Sequence, residues 1–121
     1  MSRFVIGDIH GCSGELRHLV DALPVRPGDE IVFLGDYIDR GPDSSGVVSF
    51  LIELKASLSD NKLVFLKGNH EDMLLSYLGL SGHHGNMFLL NGGRTTVQSY
   101  GVTADNPPID CLQAAIPPTH I

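Results

Sequence analysis

The stretch Gly7-Asp8-Ile9-His10-Gly11, GDIHG, closes a short apolar run, Arg3-Phe4-Val5-Ile6. It sets a carboxylate and an imidazole two residues apart between two glycines. Two further runs end in the same manner. Glu30-Ile31-Val32-Phe33-Leu34 leads into GDYIDRG (Gly35 to Gly41), and Lys62-Leu63-Val64-Phe65-Leu66 leads through Lys67 into GNHE (Gly68 to Glu71). Each run is rich in β-branched and aromatic residues and none alternates with polar ones. That pattern predicts strands buried on both faces, as in a parallel sheet.

The segments between the runs read as helices. Ser13 to Leu23 carries apolar residues at Leu16, Leu19, Val20 and Leu23, with Ser13 as a candidate N-cap. Ser44 to Leu58 opens with a serine pair and is long enough for a helix; a third helix is expected from His70 through Leu78. The order is therefore β-α-β-α-β-α, with a repeat of about thirty residues, the size of a βαβ unit. Right-handed crossovers would set the three strands parallel. Beyond Leu80 the pattern weakens. Ser81 to Asn86 reads as a loop, Thr95 to Tyr100 and Asp110 to Ala115 as short helices, ADNPP (104–108) as a linker, and Thr119 as a possible cap.

Composition narrows the class. The chain has 121 residues, 42% of them hydrophobic, enough for one modest domain. A formal net charge of -6 argues against an electrostatic nucleic-acid binder and against an anionic membrane surface, both of which need basic footprints. It leaves phosphorylated substrates open, because bound cations reverse a local field. Two cysteines, Cys12 and Cys111, are too few for a disulfide scaffold, and no stretch has the length of a membrane span. The N-terminus lacks signal-peptide character. A cytoplasmic protein is expected.

Parallel strands would bring the three glycine-bounded segments to one edge, where open α/β sheets collect ligands. Asp8, His10, Asp36, Asn69 and His70 would then converge. Taken singly, an Asp at a strand end is a helix cap or Asx turn, and a lone His is a satisfied polar residue. Three matching strand ends point instead to a shared site. Oxygen and nitrogen donors without thiolate suit Mn²⁺, Fe or Zn²⁺. Two carboxylates among two imidazoles and an amide fit two divalent ions sharing one carboxylate. Such a pair acidifies water and clamps the attacking and leaving oxygens of an in-line displacement, the chemistry of phosphate-ester hydrolysis.

At these residues the chain resembles the calcineurin-like metallophosphoesterase superfamily, whose signature is GDxHG, GDxxDRG and GNHE. The DRG form of the second motif is similar to the phosphoprotein phosphatase branch, including bacterial serine/threonine protein phosphatases, and Asn91 to Gly101 is similar to a segment of bacterial members. The resemblance implies that Asp8 and His10 bind one metal, that Asp36 bridges and that Asn69 binds the second. It makes His70 a general acid rather than a ligand, Asp39 the partner that aligns it, and Arg40 a phosphate-binding fork. Lys67 stands where many relatives carry a second arginine, which keeps the charge and loses the fork. Two Mn²⁺ ions are the expected cofactors, with Fe or Zn²⁺ as alternatives.

The resemblance also implies a larger fold. The expected architecture is α/β, the N-terminal βαβαβα half of an αββα sandwich with a mostly parallel sheet. The whole chain, 1–121, would be one truncated domain, with 1–80 as the motif-bearing core and 81–121 as a loop-rich extension. The relatives take further metal-binding histidines from the second half; His83, His84 and His120 do not match that motif. Apolar surface left uncovered would favour dimers. Asn91, Gly92, Gly93 and Arg94 are candidates for the cleft, or simply a turn.

The leading expectation is a phosphomonoesterase acting on a phosphorylated protein. The alternatives are a diadenosine tetraphosphate hydrolase, whose members commonly lack the second Asp of GDxxDRG, and a non-catalytic module that keeps a partial metal or phosphate site. A nuclease or cyclic-nucleotide phosphodiesterase fits less well, because such relatives usually lack the DRG arginine.

Overall fold

The computed structural model describes residues 2–102 and 109–120. Three strands, β1 (Arg3–Ile6), β2 (Glu30–Phe33) and β3 (Lys62–Phe65), form a parallel sheet in the order β1-β2-β3. Their register aligns Phe4, Ile31 and Leu63, and, two residues on, Ile6, Phe33 and Phe65. Helices α1 (Ser13–Ala22) and α2 (Ser44–Ser57) are the two crossovers. Two successive right-handed crossovers that step in one direction must lie on one face. Accordingly Leu16 of α1 and Val47, Leu51 and Leu54 of α2 pack on Ile6, Ile31 and Phe33 in a single core.

That geometry corrects one expectation. The strands are not buried on both faces. The alternate row, Val5, Val32 and Val64 in register, lies on the opposite side, and Val5 is 59% exposed. Leu34 and Leu66, just past the strand ends, are also exposed. The lack of polar alternation records a sheet with two apolar faces, of which α1 and α2 cover one.

Local capping differs from the sequence reading in detail. Ser13 does not cap α1; Cys12 holds the cap position, and the Ser13 hydroxyl donates to Asp43 Oδ2 at 2.7 Å. Asp43 instead caps α2, accepting the Gly46 N–H at 3.1 Å. Helix α3 (Asn69–Tyr77) starts one residue earlier than expected. Beyond residue 80 the chain forms a 3-10 turn at Gly85–Met87, an irregular turn over Leu89–Gly93, then α4 (Arg94–Ser99) and α5 (Ile109–Ala115). Thr119 sits inside a second 3-10 turn, Pro118–His120. A second cluster, Ile38, Met73, Phe88, Val97 and Leu112 among others, joins these elements to α3. Residues 104–108 lie outside the described residues. Among the described residues no helix is long and apolar enough to cross a membrane.

Candidate metal centre

The three glycine-bounded turns interlock at the carboxyl ends of the strands. The backbone N–H groups of Ile9 and His10 donate to the Asp36 carbonyl at 3.1 and 2.9 Å, and that of Gly11 donates to the Tyr37 carbonyl at 2.9 Å. The turn after β2 is tied to α3 by one side chain. Glu71 accepts the N–H groups of Asp36 (2.6 Å), Tyr37 (2.9 Å) and Gly68 (2.9 Å). Its bond to Gly68 is half of a capping box. Gly68 has no side chain to complete the box, and Asp36 Oδ1 from outside the helix instead accepts the N–H of the second helical residue, His70, at 3.0 Å. Such close packing explains two of the glycines. Gly35 has φ +107°, and a Cβ there would strike the backbone of Gly68. A Cβ on Gly41 would overlap the His10 carbonyl.

The backbone at this edge is strained. His10, Asp36, Asp39 and Arg40 have φ of 45°, 54°, 74° and 69°. Left-handed backbone costs a non-glycine residue roughly 1–2 kcal/mol. Strain of this kind persists where surrounding bonds over-determine it, and it clusters at functional sites.

The strain brings donors together. One ligand atom from each of Asp8, His10 and Asp36 lies within 4.8 Å of the others. His10 Nδ1 is 2.8 Å from the Ile38 carbonyl, which can only accept, so Nδ1 carries the proton. Nε2, the nitrogen free to ligate, lies 3.7 Å from Asp8 Oδ2. A backbone carbonyl that fixes the tautomer in this way is the usual support of a ligating histidine. The Asn69 amide abuts Asp36. Turned with nitrogen inward, it donates to both carboxylate oxygens at 3.0 and 3.1 Å. Turned with oxygen inward, three oxygens converge with no proton between them, a set that a cation satisfies. The residues therefore fit a divalent ion, and the donor types admit Mn²⁺, Fe and Zn²⁺ alike.

His70 stands beside this set, its ring edge-on to that of His10 with centroids 4.6 Å apart. Its Nδ1 is 2.9 Å from Asp39 Oδ2, and both side chains are buried. Burial pushes the Asp39 carboxyl above the usual carboxylate range, against hydrogen bonds from Thr96 and His70 that work the other way. Glu71 is raised for the same reason, opposed by its three backbone donors.

Arg40 is exposed and lines a cleft of about 200 Å³ with Asn69, His70, His83, His84 and Asn91. Its N–H donates to the Gly92 carbonyl at 2.9 Å, so the 91–94 turn adjoins the cleft. Lys67 turns to Asp72, with its ammonium 2.9 Å from Oδ1. His83 and His84 are exposed at the cleft wall, whereas His120 bonds Tyr100 and Ser49. Sequence reading assigned no task to Glu71, although its place three residues after Gly68 is a capping signal. Ser44, expected only to open a helix, and Thr96, within the segment resembling bacterial relatives, both bond Asp39, a link across 5 and 57 residues that the sequence does not show.

The model of the calcineurin-like phosphoesterase family matches residues 1–114, and the chain belongs to that family. It is 38% identical over 79 residues to a symmetrical bis(5'-nucleosyl)-tetraphosphatase of Wigglesworthia glossinidia brevipalpis, covering 64% of this chain and 27% of the relative. It is 37% identical over 106 residues to an asymmetrical bis(5'-nucleosyl)-tetraphosphatase of Anoxybacillus flavithermus, covering 79% of this chain and 40% of the relative. It is 42% identical over 67 residues to a Caenorhabditis elegans protein named as a candidate serine/threonine-protein phosphatase, covering 55% and 18%. The chain thus spans between about a fifth and two fifths of the length of these relatives.

Proposed function

We propose that this chain carries the metal-binding half of a phosphoesterase centre and that the protein hydrolyses phosphate monoesters, with phosphoserine or phosphothreonine in a protein as the substrate class. The observation that carries the reading is the convergence of Asp8, His10, Asp36 and Asn69 at one sheet edge, beside a buried His70–Asp39 pair.

Asp8 and His10 would hold one divalent ion, Asn69 a second, and Asp36 both. Bound there, such ions supply positive charge against the phosphate oxygens and acidify a water molecule. The remaining steps belong to side chains. Asp39 accepts a hydrogen bond from His70 Nδ1–H and fixes the ring. Nε2–H can then donate to the departing oxygen as general acid. Arg40 offers a planar fork to the phosphate from the exposed rim. Lys67, paired with Asp72, keeps positive charge near that rim without a fork.

A second reading is hydrolysis of dinucleoside tetraphosphates, and the two tetraphosphatases among the relatives favour it. Asp39 inside GDYIDRG favours the phosphatase.

The test compares three substrates, p-nitrophenyl phosphate, a phosphothreonine peptide and diadenosine tetraphosphate, with Mn²⁺ and with chelator. Chelator-sensitive turnover of the first two supports the phosphatase, and turnover of the third alone supports the alternative. Turnover untouched by chelator in a metal-stripped sample would overturn both. His70→Ala should lower turnover with bound Mn²⁺ retained; loss of the metal would make His70 a ligand.

A further inference from the structure

Behind His70 lies a closed chain of hydrogen bonds that the three motifs do not contain. Thr96 Oγ1 is 2.6 Å from Asp39 Oδ1, 2.9 Å from Ser44 Oγ and 2.8 Å from the Asp39 N–H that donates to it. The same N–H lies 3.1 Å from Ser44 Oγ. Thr96, Ser44 and Asp39 are each fully buried. The proton positions follow by elimination. A carboxylate only accepts, so the single hydroxyl proton of Thr96 goes to Asp39 Oδ1. Ser44 must then donate to Thr96. His70 Nδ1–H takes the other carboxylate oxygen, Oδ2, at 2.9 Å. Each carboxylate oxygen thus has its own donor, and the bonds run one way from Ser44 through Thr96 to Asp39.

We propose that Thr96 is a positioning residue for His70, acting through Asp39; the proposal rests on the reading of His70 as the proton donor. A carboxylate held only by His70 could rotate about its Cβ–Cγ bond and let the imidazole turn with it. Thr96 blocks that rotation by pinning Oδ1. The helix that carries Thr96 is itself anchored on α2. Ser45 donates its N–H to Ser99 Oγ at 3.1 Å and its hydroxyl to the Ser99 carbonyl at 2.9 Å. The serine pair that opens α2 therefore clamps α4, and α4 sets the carboxylate that sets the histidine.

The test uses the full chain with ¹⁵N-labelled histidine, first without metal. The Nδ1–H proton of His70, assigned by its disappearance in His70→Asn, reports the bond to Asp39 directly. Thr96→Val keeps the shape, removes the hydroxyl and is expected to shift this proton and hasten its exchange with water. Thr96→Ser is expected to restore it. With Mn²⁺ and p-nitrophenyl phosphate, Thr96→Val should lower kcat about tenfold with KM and bound Mn²⁺ unchanged, again with rescue by serine. An unmoved His70 proton in folded Thr96→Val overturns the proposal, and so does a parallel loss of kcat, KM and metal that serine does not rescue. Absence of turnover in the unsubstituted chain is the behaviour of half a centre, and the resonance experiment then decides on Thr96. If Thr96→Val does not fold, Ser44→Ala is measured in the same way, and an unmoved proton there overturns the proposal.

Discussion

Asp36 Oδ1 accepts the backbone N–H of His70 at 3.0 Å, so the side chain read as the bridging metal ligand also caps helix α3. The two duties can be separated. Asp36→Asn keeps an oxygen for the cap and should leave the melting temperature of the metal-free chain nearly unchanged, while weakening Mn²⁺ binding by calorimetry at least tenfold. Asp36→Ala loses both duties and should also cost about 1 kcal/mol of stability, the usual value of a cap. Wild-type Mn²⁺ affinity in Asp36→Asn would remove Asp36 from the centre.

Arg40 combines an exposed side chain with a φ of 69°. Glycine tolerates that conformation without penalty. Arg40→Gly should therefore stabilise the chain by up to about 1 kcal/mol, the left-handed penalty less the entropy of a new glycine. It should also weaken phosphate binding. A drop in melting temperature would show that the Arg40 stem packs more than it strains.

His120 gives the chain a pH dependence away from the metal centre. Its Nδ1 is 2.7 Å from the Tyr100 hydroxyl and its Nε2 is 3.2 Å from Ser49 Oγ. Burial lowers its pKa below the ordinary value of 6.5 and raises that of Tyr100 to about 12, so Tyr100 stays neutral throughout. The folded state thus binds the His120 proton less tightly than the unfolded state. Its contribution is fully present above pH 6.5 and is lost as pH falls through the lower, folded value. Urea titrations of the chain and of His120→Gln between pH 5 and 8 should diverge on the acid side in that sense. Parallel curves would refute the assignment.

The open face of the sheet predicts self-association. Val5, Val32 and Val64 form one row, continued by Leu34 and Leu66. Val5→Lys should reduce association in sedimentation experiments and change stability by no more than about 0.5 kcal/mol, as expected at an exposed site. Association undiminished by this change would place the contact elsewhere.

The strands and helices α1 to α3 were legible in the sequence because each rests on local chemistry. β-Branched runs, a thirty-residue rhythm and glycine-bounded turns are read within a few positions of one another. The order of the strands along the sheet and their shared polarity follow from crossover handedness, so the meeting of Asp8, Asp36 and Asn69 at one edge was also legible. Which sheet face is covered was not, because an apolar run looks the same whether one or both of its faces are buried.

Only the tertiary structure decided the rest. The left-handed backbone at His10, Asp36, Asp39 and Arg40 is imposed by bonds that cross between turns, such as those from His10 to the Asp36 carbonyl and from Arg40 to the Gly92 carbonyl. Asp and His visit that conformation more readily than most residues, but it is still uncommon for any residue other than glycine, and Arg40 has no such preference. Thr96 is a further case. The resemblance of Asn91 to Gly101 to bacterial relatives marks its segment but gives Thr96 no task, since its partner Asp39 lies 57 residues earlier. Periodicity and motif spacing report what neighbours along the chain do together. A hydrogen bond between a helix near residue 96 and a turn near residue 39 exists only once the core has brought them into contact.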